Sequence, residues 1–360
     1  MSKIVYGVSG QGSGHSSRAR EMARHLIELG HEVRLVSYDR GYRNLKDDFQ
    51  VFETEGLRIA SEDNNVSIVK TFTENLTRLP KGNEKLQKLR QKLFRDFHPD
   101  CVVTDLEPMT AYLANHYDVP LITLDNQHRM RYMDYPCPEG LEVESGVTET
   151  IIRAMVPRPD VSLVTTFFRG ALRNKRTFLF PPILRREVLE TQPQVGNHIL
   201  VYVTAEFSSL LPLLKALTRE MFLVYGYDRH GQEDNLHYRP FSKDGFLNDL
   251  ANAKAVIGTA GFTLISEAFY LNKPYLALPL QGQFEQQLNA FQLEELGYGK
   301  RVEHLSPEQI GDFLYRLPDY EAALTTYQAG DNSEIKNYLS ALVADGAQQA
   351  QVYHQRRNAQ

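Results

Sequence analysis

The segment formed by residues 255–290 constrains the fold of this 360-residue chain more than any other part of the sequence. It begins with a short apolar strand at 255–257, passes through a turn of small residues at 258–261, and enters a helical pattern of apolar positions. A second apolar strand is predicted at 274–280. A strand, a helix and another strand in this order predict a βαβ unit, and therefore a parallel sheet that helices cover on both faces.

The turn at 258–261 has the composition of an anion-binding site. The first backbone N–H groups of the following helix lack intrahelical acceptors and lie at the positive end of its dipole, so they can hold a diphosphate without a metal. Gly261 has no side chain and lets a phosphate approach closely. Glu267, about one turn further along, can accept hydrogen bonds from both hydroxyls of a ribose, and amide side chains suited to a hydroxyl-rich ring follow the second strand. These amides are Gln283, Gln286, Gln287 and Asn289.

Composition fits a two-domain enzyme, with 42% hydrophobic and 24% charged residues. The net charge of −5 argues against a nucleic-acid partner, which usually requires a basic face. Two cysteines are too few for a disulfide framework or a zinc cluster, so we expect a cytoplasmic protein without a metal. No apolar stretch is long enough to cross a bilayer, and we expect any membrane contact to be peripheral.

The rest of the chain repeats the alternation of strands and helices. The sequence predicts strands at 3–8, 32–37, 100–104, 120–124, 160–165, 198–204, 221–225 and 236–239. It predicts helices at 64–79 and 84–97 with a break at 80–83, then at 109–116, 208–218 and 246–253, and a final helix that Ser333 caps. The tail after Gly346 is polar, and we expect it to be loosely held.

A second glycine-rich loop, Ser9-Gly10-Gln11-Gly12-Ser13-Gly14-His15, follows the first strand. A dinucleotide fingerprint requires G-x-G-x-x-G, and here His15 occupies the place of the third glycine. Asp39, after the second strand, could still act as the ribose-binding acid of a dehydrogenase. That alternative remains open at this point.

Residues 255–290 and the loop that ends in His15 together resemble the GT-B glycosyltransferases, and among them the N-acetylglucosaminyltransferase family that completes lipid II in peptidoglycan synthesis. The resemblance implies an α/β fold of two Rossmann-like parallel-sheet domains that face each other across a cleft. It places an acceptor-side domain at 1–189, a hinge at 190–197 and a sugar-nucleotide-binding domain at 198–346. In such proteins the last helix often crosses back to the first domain, and residues 347–360 form the polar tail.

The resemblance also assigns residues to the donor. Gly261, Phe262 and Thr263 correspond to the phosphate-binding positions, Glu267 to the ribose acid, and the amides to sugar contacts. Residues 204–209 stand where the family has another glycine-rich loop but contain no glycine, so only the hydroxyls and helix start at Ser208 and Ser209 remain for phosphate. Phe241 corresponds to the position that reads the base, and a core aromatic is the alternative there.

Inverting transfer requires a base for the acceptor hydroxyl, and His15 is the candidate because an imidazole can accept a proton near neutral pH. Asp105 ends the strand at the same sheet edge and could fix the imidazole tautomer, as in the His/Asp dyad of plant glucosyltransferases. Gly12, Gly14, Asn126 and Gln127 correspond to the acceptor side, whereas His128 is expected at the surface. Retaining relatives have two glutamates eight residues apart, but Thr259 and Tyr275 flank Glu267 at that spacing, so inversion is favoured.

The sequence thus predicts an inverting, metal-independent transferase that moves a hexose or N-acetylhexosamine from a UDP-sugar to a glycan or lipid-linked acceptor of the cell envelope. The sugar nucleotide is the donor substrate, and no separate cofactor is expected. The segment 167–176 combines cations with Phe167 and Phe168 and could contact anionic lipid at the inner face of the membrane; a solvated basic loop is the alternative. A non-hydrolysing sugar-nucleotide epimerase and a non-catalytic nucleotide-sugar-binding protein remain as other functions.

Overall fold

The computed structural model describes residues 1–56, 61–62, 65–66, 79–203, 207, 209–227, 229–302 and 305–359. The chain forms two compact units. The first comprises Met1–Arg185 together with Gly330–Gln360, and the second comprises Arg186–Ala329. The first part of this unit therefore ends four residues before the predicted domain end at residue 189. The unit also includes the C-terminal residues from Gly330 onward.

The first unit is built on a seven-stranded sheet with the order β3-β2-β1-β6-β7-β8-β9, in which all neighbours are parallel. Its central strands are apolar without alternation, as expected of strands covered on both faces. The strands are β1 Lys3–Val8, β2 Glu32–Ser37, β3 Val51–Glu53, β6 Cys101–Asp105, β7 Leu121–Asp125, β8 Val161–Thr165 and β9 Thr177–Phe180, and a separate antiparallel pair is β4 Ser61–Glu62 with β5 Asn65–Val66.

Helices connect these strands and cover the sheet. They are α1 Gly14–Glu28, α2 Asp39–Leu45, α3 Leu79–Leu89 followed by a π-helical segment at Arg90–Arg95, α4 Pro108–His116, α5 Arg129–Tyr132 and α6 Glu142–Met155. The predicted break at 80–83 is wrong, because α3 runs through it with Pro80 in its first turn, where proline is tolerated. Of the helix predicted at 64–79, residues 64 and 67–78 lie outside the described residues, and 65–66 belong to β5.

The second unit repeats this architecture with the strand order β12-β13-β11-β10-β14-β15-β16, parallel except for the pair β12–β13. Its strands are β10 His198–Tyr202, β11 Met221–Tyr225, β12 Gly231–Glu233, β13 Leu236–Tyr238, β14 Ala255–Thr259, β15 Tyr275–Leu278 and β16 Gly299–Arg301. Its helices are α7 Arg186–Leu189, α8 Leu210–Ala216, α9 Lys243–Ala251, α10 Phe262–Tyr270, α11 Phe284–Glu295, α12 Pro307–Tyr315 and α13 Leu317–Leu324.

The C-terminal helix, Ser333–Asn358, belongs to the first unit. Its apolar stripe, which includes Leu339 and Leu342, packs in one core with Ile4 of β1 and Met22 of α1. Among the described residues no helix is both long enough and apolar enough to cross a membrane.

The expectation of a loosely held tail is wrong. After a kink at Ala344–Ala347, the C-terminal helix continues to Asn358, and His354 is buried. The His354 ring lies 3.0 Å from Asp160 through Nδ1 and 3.0 Å from Asp118 through Nε2, and Arg357 Nε lies 3.0 Å from Asp160 Oδ1. Polar residues of the tail thus contact the buried carboxylate of Asp160, which directly precedes β8 and is far away in the sequence, and the local composition of the tail does not reveal this contact.

Candidate functional site

The glycine-rich loop and Asp105 meet where the strand order of the first sheet reverses. Strand β1 pairs with β2 on one side and with β6 on the other, and the loop after β1 leads into α1. Ligands of open α/β sheets bind at the carboxyl ends of strands at such a reversal. Gly12 in this loop is exposed and has a φ of 75°, a conformation that favours glycine, and Gly14 begins α1.

The structure brings His15 and Asp105 into hydrogen-bond contact, with 2.7 Å between His15 Nδ1 and Asp105 Oδ1. His15 is the second residue of α1, and Asp105 is the last residue of β6. The histidine is 9% exposed and the aspartate is fully buried. A carboxylate in this position can hold the imidazole in one orientation and one tautomer.

Arg18 is a member of this cluster that the sequence analysis missed. Its Nε lies 2.6 Å from Asp105 Oδ2, and its Nη2 lies 2.6 Å from Asp105 Oδ1, so the guanidinium grips both carboxylate oxygens. Arg18 Nη2 also lies 2.8 Å from His15 Nδ1. Its position three residues after His15 places both side chains on one face of α1, and this spacing was the available signal.

The contact with Asp105 favours one histidine tautomer. If Nδ1 carries the proton, it donates to Asp105 Oδ1, and the two oxygens of Asp105 accept three hydrogen bonds in total, from His15 and Arg18. If Nδ1 were unprotonated, its lone pair would face a carboxylate oxygen at 2.7 Å. The Nδ1–H tautomer satisfies the buried carboxylate and leaves Nε2 as the ring nitrogen that can accept a proton, and Arg18 Nη2, 2.8 Å from Nδ1, then makes no hydrogen bond to the ring.

The residues after β7 contact this cluster through Gln127. Gln127 is buried, and its Oε1 accepts a long hydrogen bond of 3.4 Å from Arg18 Nη2, while Asn126 is almost fully buried. The expectation that His128 lies at the surface is wrong. Its Nδ1 lies 2.7 Å from Asp125 Oδ2, its backbone N–H donates to Asp125 Oδ1 at 2.8 Å, and both residues are fully buried.

Burial alone would raise the pKa of Asp125, but the attraction and hydrogen bonds of His128 outweigh burial and hold that pKa below its ordinary value. The Asp125–His128 contact therefore closes a fixed turn that carries Asn126 and Gln127. Gln127 contacts Arg18, and any acceptor contact that Asn126 or Gln127 makes remains a prediction.

In the second unit, the predicted phosphate turn also lies at a strand-order reversal, since β10 pairs with β11 and β14. Gly261 precedes α10 with φ −72° and ψ 132°, values open to any residue. A Cβ atom at Gly261 would have no protein atom within 4 Å. Neither backbone conformation nor packing therefore requires glycine here, and the space above the helix start is open.

The amides at this turn are partly committed within the protein. The N–H of Gly261 donates to the carbonyl of Thr259 at 2.8 Å, so it is occupied. Phe262 and Thr263 are the first two residues of α10; Phe262 is buried and Thr263 is half-buried. Glu267 lies one turn later and is 3% exposed.

The amide cluster divides into two groups. Gln283 is exposed and its Oε1 accepts from Gln286 Nε2 at 2.9 Å, while the Oε1 of half-buried Gln286 accepts from the N–H of Leu280 at 3.2 Å. Gln287 is half-buried and lies 3.5 Å from the Leu280 carbonyl. These three amides lie at the start of α11, next to the loop after β15.

Asn289 differs from the other three amides in its burial. It is fully buried, and its Nδ2 donates to the carbonyl of Ala260 at 2.9 Å. Its sugar contact stays a prediction. Its amide holds the turn before α10 through a contact between residues 29 positions apart, which only the tertiary structure could show.

Two other donor assignments have mixed outcomes. Ser208 lies outside the described residues, and Ser209 is exposed at the start of α8 without a side-chain capping bond. Phe241 is 63% exposed, so the alternative of a core residue is wrong. Its ring centroid lies 6.3 Å from that of Tyr202 and 5.7 Å from that of Phe246, which gives an aromatic surface after β13.

The basic segment at 167–176 differs from the expected lipid-binding surface. Phe167 and Phe168 are buried, and Arg173 pairs with Asp134 at 2.8 Å and with Glu149 at 3.4 Å. The apolar residues are therefore not available to a bilayer, and one of the cations is already paired with acids.

Comparisons with known proteins agree with this architecture. The family model described as "Glycosyl transferase family 1" matches residues 2–318. An uncharacterized glycosyltransferase of Methanosarcina acetivorans is 24% identical over 341 residues, covering 86% of this chain and 87% of that protein. The crystal structure of Acinetobacter baumannii MurG has a TM-score of 0.60 at 16% identity and covers 95% of this chain and 100% of that one.

The glycosyltransferase VinC, solved in complex with dTDP, has a TM-score of 0.61 at 15% identity and covers 97% of this chain and 99% of that one. These structural similarities establish the fold. The dehydrogenase interpretation of the glycine loop is wrong, because the family match spans that loop. Since the family model extends through most of both units, this chain belongs to glycosyl transferase family 1 and is a glycosyltransferase with the GT-B fold.

Proposed function

We propose that this glycosyltransferase is an inverting, metal-independent enzyme that transfers a hexose or N-acetylhexosamine from a UDP-sugar to a glycan or lipid-linked acceptor of the cell envelope. The observation that carries the proposal is the 2.7 Å contact between His15 Nδ1 and Asp105, because it leaves His15 Nε2 as a proton acceptor. The proposed place of reaction is the cytoplasm, at the inner face of the membrane.

In the proposed reaction, the acceptor hydroxyl loses its proton to His15 Nε2 as its oxygen attacks the anomeric carbon. The bond between that carbon and the β-phosphate oxygen breaks, and the electron pair leaves with the nucleoside diphosphate. Attack from the face opposite the leaving group inverts the anomeric configuration. Asp105 stabilises the imidazolium that forms, and it remains a carboxylate throughout.

The second unit supports the donor half of the proposal. The open space at Gly261 and the first-turn amides of α10 suit the diphosphate, and Glu267 suits the ribose. The choice of UDP comes from the family resemblance alone, and the VinC structure contains dTDP. The donor screen therefore includes both nucleotides.

A thermal-shift panel of UDP-, dTDP- and GDP-sugars identifies the donor, since a ligand that binds the native state raises the melting temperature. In Gly261→Val, the added side chain should fill the space above the helix start and abolish the shift, while the melting temperature without ligand stays near that of the wild type. Gly311→Val is the matched control, because Gly311 is another glycine of the same unit with open space at its Cβ position. An unchanged ligand shift in Gly261→Val would place the diphosphate elsewhere.

Product analysis by NMR then tests the reaction itself. With an acceptor, transfer should release the nucleoside diphosphate and give inverted configuration, and His15→Ala should lower turnover by about 100- to 10,000-fold with donor binding retained. His25→Ala, on the same helix but bonded to Ser340, is the control. Epimerised donor, or unaltered donor with every acceptor tested, would contradict the proposed transfer and support an epimerase or a binding protein.

A further inference from the structure

The contacts of Arg18 go beyond the His/Asp pair that the proposed mechanism uses. Asp105 is fully buried, and Arg18 contributes two short hydrogen bonds to it, one on each oxygen. Arg18 is itself buried, and its Nη2 also lies 2.8 Å from His15 Nδ1 and 3.4 Å from Gln127 Oε1. Two parallel N–H···O bonds from one guanidinium fix the plane of a carboxylate as well as neutralising it.

The charges of this cluster determine the state of the histidine. A buried carboxylate needs a counter-charge close by. Without Arg18, the partner among the described residues that could supply this charge in direct contact with Asp105 would be His15, as imidazolium. With Arg18 in place, Asp105 and Arg18 form a neutral pair, and His15 is free to remain neutral.

We propose that Arg18 is a positioning residue that supplies the counter-charge of Asp105 and thereby keeps His15 unprotonated and available as the base. This inference rests on the proposed function for its kinetic consequence. The structural part, which concerns the protonation state of His15, stands independently of any reaction.

The groups that face His15 give the sign of the pH effect. Asp105 from β6 favours the imidazolium, and Arg18 from α1 opposes it at a distance of 2.8 Å. Asp125 and Tyr6 also interact electrostatically with Arg18, and both are buried. Removing the guanidinium takes away a cation, so His15 should hold its proton to higher pH.

Four variants separate charge from geometry. R18M removes the positive charge, and R18K keeps the charge but loses the bidentate hydrogen bonds to Asp105. R18M/D105N removes both members of the neutral pair. R20M is the matched control, because Arg20 lies on the same helix and pairs with Asp48, away from His15. Thermal melts of all four establish that each protein is folded.

The first readout is the pH dependence of kcat/KM. In R18M the acid limb should move to higher pH by about one unit or more, so that activity lost at neutral pH returns on the alkaline side. In R18K the limb should stay near that of the wild type with a lower plateau, and in R18M/D105N it should return toward the wild-type position. KM for the donor should remain unchanged in all four.

The second readout does not require catalysis. The ¹⁵N chemical shifts of His15 at pH 7 should show a neutral ring protonated at Nδ1 in the wild type and R20M, and an imidazolium in R18M. A neutral His15 in folded R18M, or equal acid limbs in R18M and R20M, would overturn the inference. If R18M does not fold, R18M/D105N decides the question: an acid limb that stays at higher pH than that of the wild type would overturn the inference. Absence of transfer by the wild type would refute the proposed function, whereas the ¹⁵N result would still decide the role of Arg18.

Discussion

Deletion of residues 347–360 should destabilise the first unit strongly, although this segment is polar. In the intact chain, Asp160 is fully buried, its Oδ2 accepts from the N–H of Leu121 at 2.8 Å, and it contacts His354 and Arg357 at 3.0 Å each. Deletion removes both basic partners and leaves the carboxylate in place. Breaking a buried pair in this way costs about 3–5 kcal/mol.

The deletion also exposes apolar surface. Ala347 and Ala350 are fully buried against the core of the first unit, and at about 0.8 kcal/mol per buried methyl-sized group they add about 1.5 kcal/mol. The expected total is about 4.5–6.5 kcal/mol, a large fraction of the 5–15 kcal/mol that stabilises a typical domain. Urea unfolding followed by circular dichroism measures this loss.

Asp160→Asn distinguishes the electrostatic part from lost packing. In the intact chain this variant should destabilise, because it leaves Arg357 without its buried partner. In the truncated chain it should stabilise, because a neutral amide can still accept from Leu121 and no charge is buried. Arg356→Met, at an exposed position of the same helix, should change stability by less than about 0.5 kcal/mol. A truncated chain within about 1 kcal/mol of the intact one would refute the reasoning.

Three further predictions concern the second unit. Burial lowers the pKa of Lys273 from its ordinary value of 10.5 to about 8, so the unfolded chain binds more protons between these values and stability should rise with pH there. Lys273→Met should remove this rise of up to about 3 kcal/mol, and parallel pH–stability curves of the two proteins would contradict it. Asn289→Ala should lower the free energy of unfolding by about 1–3 kcal/mol, because the Ala260 carbonyl loses its donor; a variant with unaltered stability but weaker sugar binding would support the sugar contact instead. Glu267→Gln should weaken UDP binding by about tenfold or more and leave pyrophosphate binding unchanged in calorimetry, whereas equal losses for both ligands would exclude a ribose contact.

The sequence located the larger elements because their signals are local. Strands β1, β2 and β11 were predicted with the bounds that the structure has, and the turn before α10 was predicted with its helix. Short edge strands such as β3, β12 and β16 were not predicted, since three residues carry too little periodicity. The prediction of a break at Pro80 was wrong because a helix tolerates proline in its first turn, and local composition does not determine where the helix begins.

By itself the sequence determined the alternation of strands and helices, the two glycine-containing turns, and the candidacy of His15 and Asp105. Only the tertiary structure decided what surrounds them. The bidentate grip of Arg18, the buried Asp125–His128 pair, and the attachment of the C-terminal helix to Asp160 join residues far apart in the chain. Burial and counter-charge depend on which strands become neighbours, and that order is a property of the folded sheet rather than of any short segment.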